Sequence, residues 1–363
     1  MTRRIVVKIG TASITAADGS LDASAIEKTC EEVLHARQQG HDIVVVTSAA
    51  ITAGLPMLGI ERPSDSATLQ AVAAVGQIQL MNLWFDGFAQ RQIVAGQVLL
   101  APLDFMVRQQ YLHARQTVTR LLALNVVPVV NENDAIADDE IRFGDNDRLA
   151  ALVAQLVDAD TLVLLTDAPG LLTADPRLDP NATLIEDVAS VDAELEALAG
   201  GVSSDRGSGG MASKLAAAKM AAWSGVRTVI ASADRENVVI DAIAGANGVG
   251  TTIQPKEQRM SARKVWIAFA VASKGRIEID AGARKALEAG GRSLLPAGVR
   301  AVVGKFEAGA TVEVVDGSGD VFARGIVGLR SEQLDQVKGR HTSQLPAEVR
   351  HEVIHCDDLV MLP

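Results

Sequence analysis

The sequence predicts an α/β protein: a mostly parallel sheet with helices on both faces, followed by a smaller, mostly β domain. Up to about residue 255, valine- and isoleucine-rich runs alternate with longer amphipathic stretches, which is the pattern of strands joined by helices. Beyond about Lys256, short alternating segments are separated by Gly-rich turns, which favours a small β domain. A length of 363 residues with 48% hydrophobic residues is enough for two domains.

The elements of the larger part follow from this alternation. Several helices are expected to begin at Asp or Ser, the residue types that cap helix N-termini. The expected strands are Ile5 to Ile9, Ile43 to Thr47, Ile93 to Leu99, Val126 to Val130, Leu162 to Thr166 and Thr228 to Ala231. The expected helices are Asp22 to Gln39, Ser66 to Ala89, Arg108 to Leu124, Asp145 to Val157 and Gly210 to Ser224.

A change in residue composition and hydrophobic pattern predicts the domain boundaries. The stretch from Lys256 to Lys264 is rich in charge and reads as a connector, and strands are expected at Ala310 to Val315 and Val321 to Val327. We therefore expect a first domain over residues 1–255, a linker over 256–273 and a second domain over 274–363.

Composition excludes several classes of protein. No apolar stretch approaches the roughly 18 residues of a membrane span, and no signal-peptide core follows Arg3 and Arg4, so we expect a cytoplasmic protein. Cys30 and Cys356 have no metal-like spacing. The stretch His351-Glu-Val-Ile-His355 matches a zinc-protease pattern, but Val353 and Ile354 favour a strand, and we expect no metal site there. A net charge of -11 opposes a general nucleic-acid role.

Two lysines lie beside glycines in positions that suit an anion. Lys8 ends the first predicted strand and precedes Gly10; it could be an ordinary solvated charge, but glycine there lets backbone N–H groups approach a phosphate. Lys214 lies one turn into a predicted helix that follows a Gly-rich loop. That loop misses both the dinucleotide and P-loop patterns, yet a Gly-rich loop at a helix N-terminus remains an anion-binding device. A plain loop capped by a helix is the alternative.

Polar clusters follow three other predicted strands. Asn131-Glu-Asn-Asp134 and Gly144-Asp-Asn-Asp147 offer donors and acceptors for the ammonium and carboxylate groups of an amino acid, although Asp145 or Asn146 could equally be a helix cap. Thr166-Asp167 ends a strand at the same sheet edge, where ligands gather in open α/β sheets. The small residues of Thr47-Ser-Ala-Ala50 leave room for a ligand at that edge.

With these motifs in this order, the first 255 residues resemble the amino acid kinase family, and within it the enzymes that phosphorylate the side-chain carboxylate of L-glutamate. The C-terminal part resembles a PUA domain. The resemblance implies the amino acid kinase fold, ATP and Mg²⁺ as cosubstrate and cofactor, glutamyl 5-phosphate as product, and the first step of proline biosynthesis. It also implies a homodimer or homotetramer, and feedback inhibition by L-proline in which the Ala74-Val-Gly-Gln77 loop takes part.

The resemblance assigns roles residue by residue. Lys8 and Lys214 would flank the transferring phosphoryl group, and Asp147 would orient them. Ser48, Ala49, Asp134, Asp145 and Asn146 would bind glutamate. The nucleotide would be held by Lys8, Gly10, Thr166, Asp167, Ser208, Gly209, Gly210, Met211, Ala212, Ser213 and Lys214.

Chemistry agrees with these roles. A glutamate carboxylate, with a pKa of about 4.3, is ionised at neutral pH and attacks phosphorus without a general base. Catalysis then needs positioning and charge neutralisation, which two lysines and Gly-rich backbone supply. None of the six histidines lies in these motifs.

Two alternatives remain open. Another member of the family, such as an acetylglutamate, aspartate or uridylate kinase, would share the lysines and the Gly-rich loop but not the Asn131 to Asp134 and Asp145 to Asp147 pairing. An RNA-associated protein could act through the PUA-like domain, but residues 274–363 hold 12 Lys plus Arg against 13 Asp plus Glu, so no basic surface supports it.

Ala49 departs from the family pattern. Glycine usually follows the serine, and alanine disfavours a positive φ. If Ala49 keeps a negative φ, the site narrows, and Ala49→Gly should change KM modestly.

Overall fold

The computed structural model describes residues 2–16, 18–136, 146–200, 210–271, 273–345 and 352–362. The chain divides into two compact units, Met1–Met260 and Ser261–Pro363. The first holds a large, mostly parallel sheet with helices, and the second holds a small, separate sheet. The predicted fold class is therefore confirmed.

Within the described residues of the first unit, eight strands form one sheet in the order β3-β4-β2-β1-β5-β7-β8-β6. Neighbours pair in parallel except β7 and β8, which are antiparallel. The six predicted strands are present, each within two residues of its expected ends. The strands are β1 (Arg4–Ile9), β2 (Asp42–Val46), β3 (Ala95–Leu100), β4 (Val127–Glu132), β5 (Thr161–Thr166), β6 (Asp187–Val188), β7 (Arg227–Ser232) and β8 (Gly250–Ile253).

The helices of this unit include the five that were predicted; for the one expected from Asp145, the described part is Asn146–Leu156, and position 145 lies outside the described residues. No helix in the described part of the chain is long and apolar enough to cross a lipid bilayer. The helices are α1 (Ala23–Gln38), α2 (Ala50–Leu58), α3 (Ser66–Ala89), α4 (Leu103–Met106), α5 (Arg108–Ala123), α6 (Asn146–Leu156), α7 (Ala193–Gly200), α8 (Met211–Trp223) and α9 (Val238–Ala244).

The central strand β1 shows how the sheet places a charged side chain. Ile5, Val7 and Ile9 belong to a buried cluster that also contains residues of α1, α3 and α9. Because side chains alternate along a strand, Lys8 projects to the opposite face, where α6 packs on β1 and α8 packs on α6. Lys8 therefore emerges between these two helices at the carboxyl end of β1.

Helices α2 and α3 pack at backbone contact. A Cβ added to Gly76 would lie 1.9 Å from the carbonyl oxygen of Ala50, and a Cβ added to Gly54 would lie 2.1 Å from that of Val72. Any larger residue at these crossings would clash with backbone. The prediction that Ala74 to Gln77 form a loop is wrong: these residues lie within α3, and Gly76 serves helix packing instead of a turn.

The second unit is a five-stranded sheet among its described residues, in the order β10-β9-β11-β12-β13, with a core that includes Ile277, Val314 and Ile354. Part of the predicted linker, residues 262–265, is helical and continues as a π-helix to residue 270. The elements are α10 (Ala262–Val265), β9 (Arg276–Ile279), α11 (Ala281–Glu288), β10 (Val299–Val303), β11 (Thr311–Val315), β12 (Val321–Val327), α12 (Ser331–Val337) and β13 (Ile354–Met361).

Candidate active site

Three buried charged side chains meet at the carboxyl edge of the large sheet. Lys8 is the penultimate residue of β1, Asp147 lies in the first turn of α6, and Lys214 lies in the first turn of α8. The Nζ atom of Lys8 lies 2.6 Å from Asp147 Oδ1, and the Nζ atom of Lys214 lies 3.1 Å from Asp147 Oδ2. Each carboxylate oxygen thus holds one ammonium group, and the exposed fractions of the three side chains are 4%, 0% and 6%.

The electrostatics of this triad leave an excess of positive charge. Burial alone would raise the pKa of Asp147, but the ammonium groups of Lys8 and Lys214 outweigh it and hold that pKa below the ordinary value. The carboxylate is therefore ionised at neutral pH. Taken by themselves, these three side chains carry two positive charges and one negative charge, and a phosphate beside them would meet both ammonium groups.

Gly10 keeps the space beside this charge open. Its φ of -83° is one that any residue adopts, so its backbone does not require glycine. A Cβ at this position would, however, lie 3.4 Å from Lys8 Nζ. The missing side chain leaves space next to the buried ammonium group, on the side of the loop that follows β1.

A cavity of about 340 Å³ adjoins the triad and shares Lys214 with it. Thr166 and Asp167, at the end of β5, line one part, and Thr166 Oγ1 donates to Asp167 Oδ1 at 3.0 Å. Apolar groups line much of the rest, which suits a flat aromatic ring. The lining is Thr166 to Leu172, Ala174 to Arg177, Leu198, Ala199, Gly210, Met211 and Lys214.

Helix α8 begins at this cavity, and within the described part of the chain no side chain caps it. Its N-cap residue is Gly210, and Met211, Ala212, Ser213 and Lys214 form the first turn. A helix N-terminus carries partial positive charge and unsatisfied N–H groups, so it attracts an anion. Two predicted loop residues, Ser208 and Gly209, lie outside the described residues.

Ser48 and Ala49 join β2 to α2 on the same edge. Thr11 Oγ1 donates to Ser48 Oγ at 3.0 Å, which ties this serine to the loop after β1. Ala49, the N-cap of α2, has a φ of +82° and a ψ of 14°. A left-handed conformation costs a non-glycine residue about 1–2 kcal/mol. The alternative in which Ala49 keeps a negative φ is wrong, and the backbone here has the conformation that glycine favours.

Asn146 is held from two sides. Its Nδ2 donates to the carbonyl oxygen of Thr47 at 2.5 Å and to Asn131 Oδ1 at 2.6 Å. Asp134 lies just beyond β4 in a short 3₁₀-helix, half-buried. Asp145 lies outside the described residues.

Sequence reasoning missed the residues that support this site. Asn131 donates to Gln77 of α3, and Trp84 of α3 donates to Thr47 Oγ1 at 3.0 Å. These contacts join residues far apart in the chain and leave no periodic signal. Gly76 beside Gln77 was a signal of close packing, but a lone glycine in a helical pattern also reads as a turn.

Comparison with known proteins agrees with this geometry. Residues 3–232 match the model of the amino acid kinase family. The chain belongs to the amino acid kinase family. Residues 275–349 match the PUA domain, so both parts of the predicted resemblance are confirmed.

Relatives match this amino acid kinase along nearly its whole length. The chain is 45% identical over 360 residues to "Glutamate 5-kinase" of Mycobacterium tuberculosis, covering 99% of this chain and 94% of the relative. It is 45% identical over 359 residues to the protein of that name from Mycolicibacterium vanbaalenii, covering 99% and 96%. Among solved structures, carbamate kinase from Giardia lamblia bound to AMP-PNP is 17% identical with a TM-score of 0.51, covering 70% of this chain and 99% of that one, and it supports the fold alone.

Proposed function

We propose that this protein transfers the γ-phosphoryl group of ATP to the side-chain carboxylate of L-glutamate, which gives glutamyl 5-phosphate for proline biosynthesis. One observation carries the chemistry: two buried lysines converge on one aspartate beside the N-terminus of α8. The choice of glutamate is supported by the full-length similarity to proteins named glutamate 5-kinase.

In this proposal Lys8 and Lys214 flank the phosphoryl group, and Asp147 holds their ammonium groups apart at a defined spacing. The glutamate carboxylate attacks phosphorus directly because it is ionised at neutral pH. Negative charge on the phosphoryl oxygens is stabilised by the ammonium groups of both lysines. The rate therefore depends on how the reacting groups are positioned and on how well this charge is neutralised. The other predicted glutamate ligands are Ser48, Ala49, Asp134, Asp145 and Asn146.

The nucleotide is proposed to enter the cavity lined by Thr166 and Asp167. Its phosphates reach Gly10 and the first turn of α8, and the loop with Ser208 and Gly209 completes the contacts. When bound together with ATP, Mg²⁺ would supply further neutralisation of the phosphate charge. The donor set suits this ion, because the carboxylate of Asp167 lines the cavity and oxygen ligands are those that Mg²⁺ prefers.

The test is to trap the acyl phosphate with hydroxylamine, using ATP, Mg²⁺ and a panel of acceptors. Hydroxamate from glutamate alone is the expected result. Product from acetylglutamate or aspartate, or turnover of UMP, in place of glutamate would reject the proposal and favour another member of the family.

Feedback regulation by proline is a separate part of the proposal. We expect proline to compete with glutamate, and glutamate kinetics unchanged by millimolar proline would reject this.

We expect a homodimer or homotetramer, because Ile78 and Phe85 of α3 expose 66% and 37% of their surfaces on one helix face. A monomer by light scattering at micromolar concentration would reject it. The protein is proposed to act in the cytoplasm.

A further inference from the structure

A head-to-tail chain of side-chain amides runs from the edge strand β3 to the candidate active site. Gln77 Nε2 donates to Gln97 Oε1 at 3.1 Å, and Asn131 Nδ2 donates to Gln77 Oε1 at 2.8 Å. Asn146 Nδ2 then donates to Asn131 Oδ1 at 2.6 Å. We call these four residues the amide relay.

Two backbone groups fix the direction of the amide relay. An amide side chain can be turned over, so its oxygen and nitrogen need an independent reference. The N–H of Glu132, which can only donate, contacts Asn131 Oδ1 at 2.9 Å. The carbonyl of Thr47, which can only accept, contacts Asn146 Nδ2 at 2.5 Å. Turning over either asparagine would set donor against donor or acceptor against acceptor.

This direction decides what Asn146 offers to a ligand. Both hydrogens of its Nδ2 are used, by Thr47 and by Asn131. Within the described part of the chain, only its Oδ1 remains, and that atom can only accept. The group in L-glutamate that donates is the α-ammonium, because both of its carboxylates are acceptors at neutral pH.

Gln77 completes the argument because Asn131 is almost fully buried, with 1% of its surface exposed. A buried amide donor without a partner costs about 1–3 kcal/mol, so Asn131 would shift towards another acceptor if Gln77 stopped accepting from it. Such a shift would withdraw Asn131 Oδ1 from Asn146 and leave the amide of Asn146 held, among the described residues, only by the carbonyl of Thr47, and therefore less firmly oriented.

We propose that Gln77 is a positioning residue that, through Asn131, holds Asn146 as an acceptor for the α-ammonium group of the substrate. This inference rests on the proposed function for the identity of the substrate. It gives helix α3 a role in the preference of the site for amino acids over analogues that lack the α-ammonium group.

The test compares the binding of L-glutamate and glutarate, which lacks the α-ammonium, by isothermal titration calorimetry to wild type and variants. Gln77→Met keeps side-chain length but removes the acceptor. We expect it to weaken glutamate binding about tenfold, the scale of one hydrogen bond to a charged group, and to leave glutarate binding unchanged. Gln77→Glu restores an acceptor and should return glutamate binding to within about twofold of wild type.

The matched control is Gln79→Met, two residues along the exposed side of the same helix, which should bind both ligands normally. Equal weakening of glutamate and glutarate, or no weakening in Gln77→Met, would overturn the role of Gln77. If Gln77→Met does not fold, Gln97→Met tests the outer end of the amide relay. We expect it to weaken the binding of glutamate two- to threefold and to leave the binding of glutarate unchanged. Equal weakening of both ligands, or no weakening, would again overturn the role of the amide relay.

Turnover keeps this proposal separate from the function itself. Wild-type protein that forms no hydroxamate from glutamate contradicts the proposed function, whatever the binding data show. Wild-type turnover together with unresponsive Gln77 variants contradicts only the role of Gln77.

Discussion

At the amino edge of the large sheet, arginines donate to the carbonyl groups that end helices, whereas at the carboxyl edge the two helices that adjoin the candidate site, α2 and α8, begin at N-cap residues that make no side-chain cap. Arg3 Nη1 donates to Ile243 O and Arg227 Nη2 to Ala242 O, both at 2.6 Å, at the end of α9. Arg4 Nη1 donates to Val157 O at 2.5 Å, just beyond α6. Positive charge at this edge is thus engaged by the protein itself.

The described helices that begin at the carboxyl edge differ in how their first turns are satisfied. The N-cap of α9, Asn237, makes no side-chain cap, but the N–H of Val239 donates to Glu32 Oε2 at 3.1 Å. α1 and α3 are capped by Asp22 and Asp65, but Ala49 and Gly210, which precede α2 and α8, make no side-chain cap. Helix ends therefore stabilise the fold at the amino edge, whereas the N-termini of α2 and α8 lie beside the candidate site, where a ligand can use them. The difference lies in whether the local sequence supplies a partner.

The largest expected effect comes from removing the anion of the triad. Asp147→Asn leaves two buried ammonium groups without a carboxylate, and such a loss typically costs 3–5 kcal/mol of the free energy of unfolding. Denaturant titration checks this, with Asp241→Asn as control, because Asp241 pairs with Arg235 at the surface and should cost less than about 1 kcal/mol. Equal losses of unfolding free energy in the two variants would contradict the prediction that the buried triad contributes more to stability than the Arg235–Asp241 pair.

The pH dependence of that difference has a defined sign. The pKa of Asp147 is lowered in the folded protein, so its carboxylate stabilises the fold fully above the ordinary pKa of about 3.9. That stabilisation is lost as the pH falls through the lower folded value. The difference between wild type and Asp147→Asn should therefore stay constant from pH 5 to 8; a steady change across this range would be the contrary result.

The next effect concerns rate. Lys214→Ala removes one of two charges proposed to meet the phosphoryl group, and we expect kcat to fall at least about a hundredfold in the hydroxamate assay. Lys219→Ala, one turn further along α8, loses only a pair with Glu196 and should keep a near-normal rate. A near-normal rate for Lys214→Ala would mean that the phosphoryl site lies elsewhere.

A smaller effect tests the amino edge. Arg227→Met removes the contacts to the end of α9 and should lower the free energy of unfolding by about 1–2 kcal/mol, with kcat unchanged, because no ligand is bound at that edge in the proposal. Arg62→Met, at an exposed position, is the control. A fall in kcat for folded Arg227→Met would break the division of roles between the edges.

The smallest expected effect is a substitution that makes the protein more stable. Ala49→Gly should raise the free energy of unfolding by about 1 kcal/mol, because glycine adopts a φ of +82° without strain. Ala53→Gly, inside α2, should lower it by about as much. Thermal or denaturant unfolding separates the two; a loss of stability in Ala49→Gly would show that the alanine methyl is needed for packing.

Most of the strands, helices and motif positions could be predicted, because apolar periodicity and strand-end polar residues are local signals. Lys8, Asp147 and Lys214 were expected to act together, and the structure brings them within contact distance. The positive φ of Ala49 could not be predicted from a residue that disfavours it. Nor could the contact of Asn131 with Gln77, since a hydrogen bond between residues 54 positions apart leaves no period in the sequence.

The backbone contact between α2 and α3 has a consequence for local unfolding. Because Gly54 and Gly76 allow the two helices to touch with no side chain between them, neither can move away without exposing the other. The amide hydrogens of the nine-residue α2 should then exchange with solvent at the rate set by opening of the 24-residue α3, as one cooperative unit. The segment that carries Ala49 would share the kinetic protection of a helix almost three times its length.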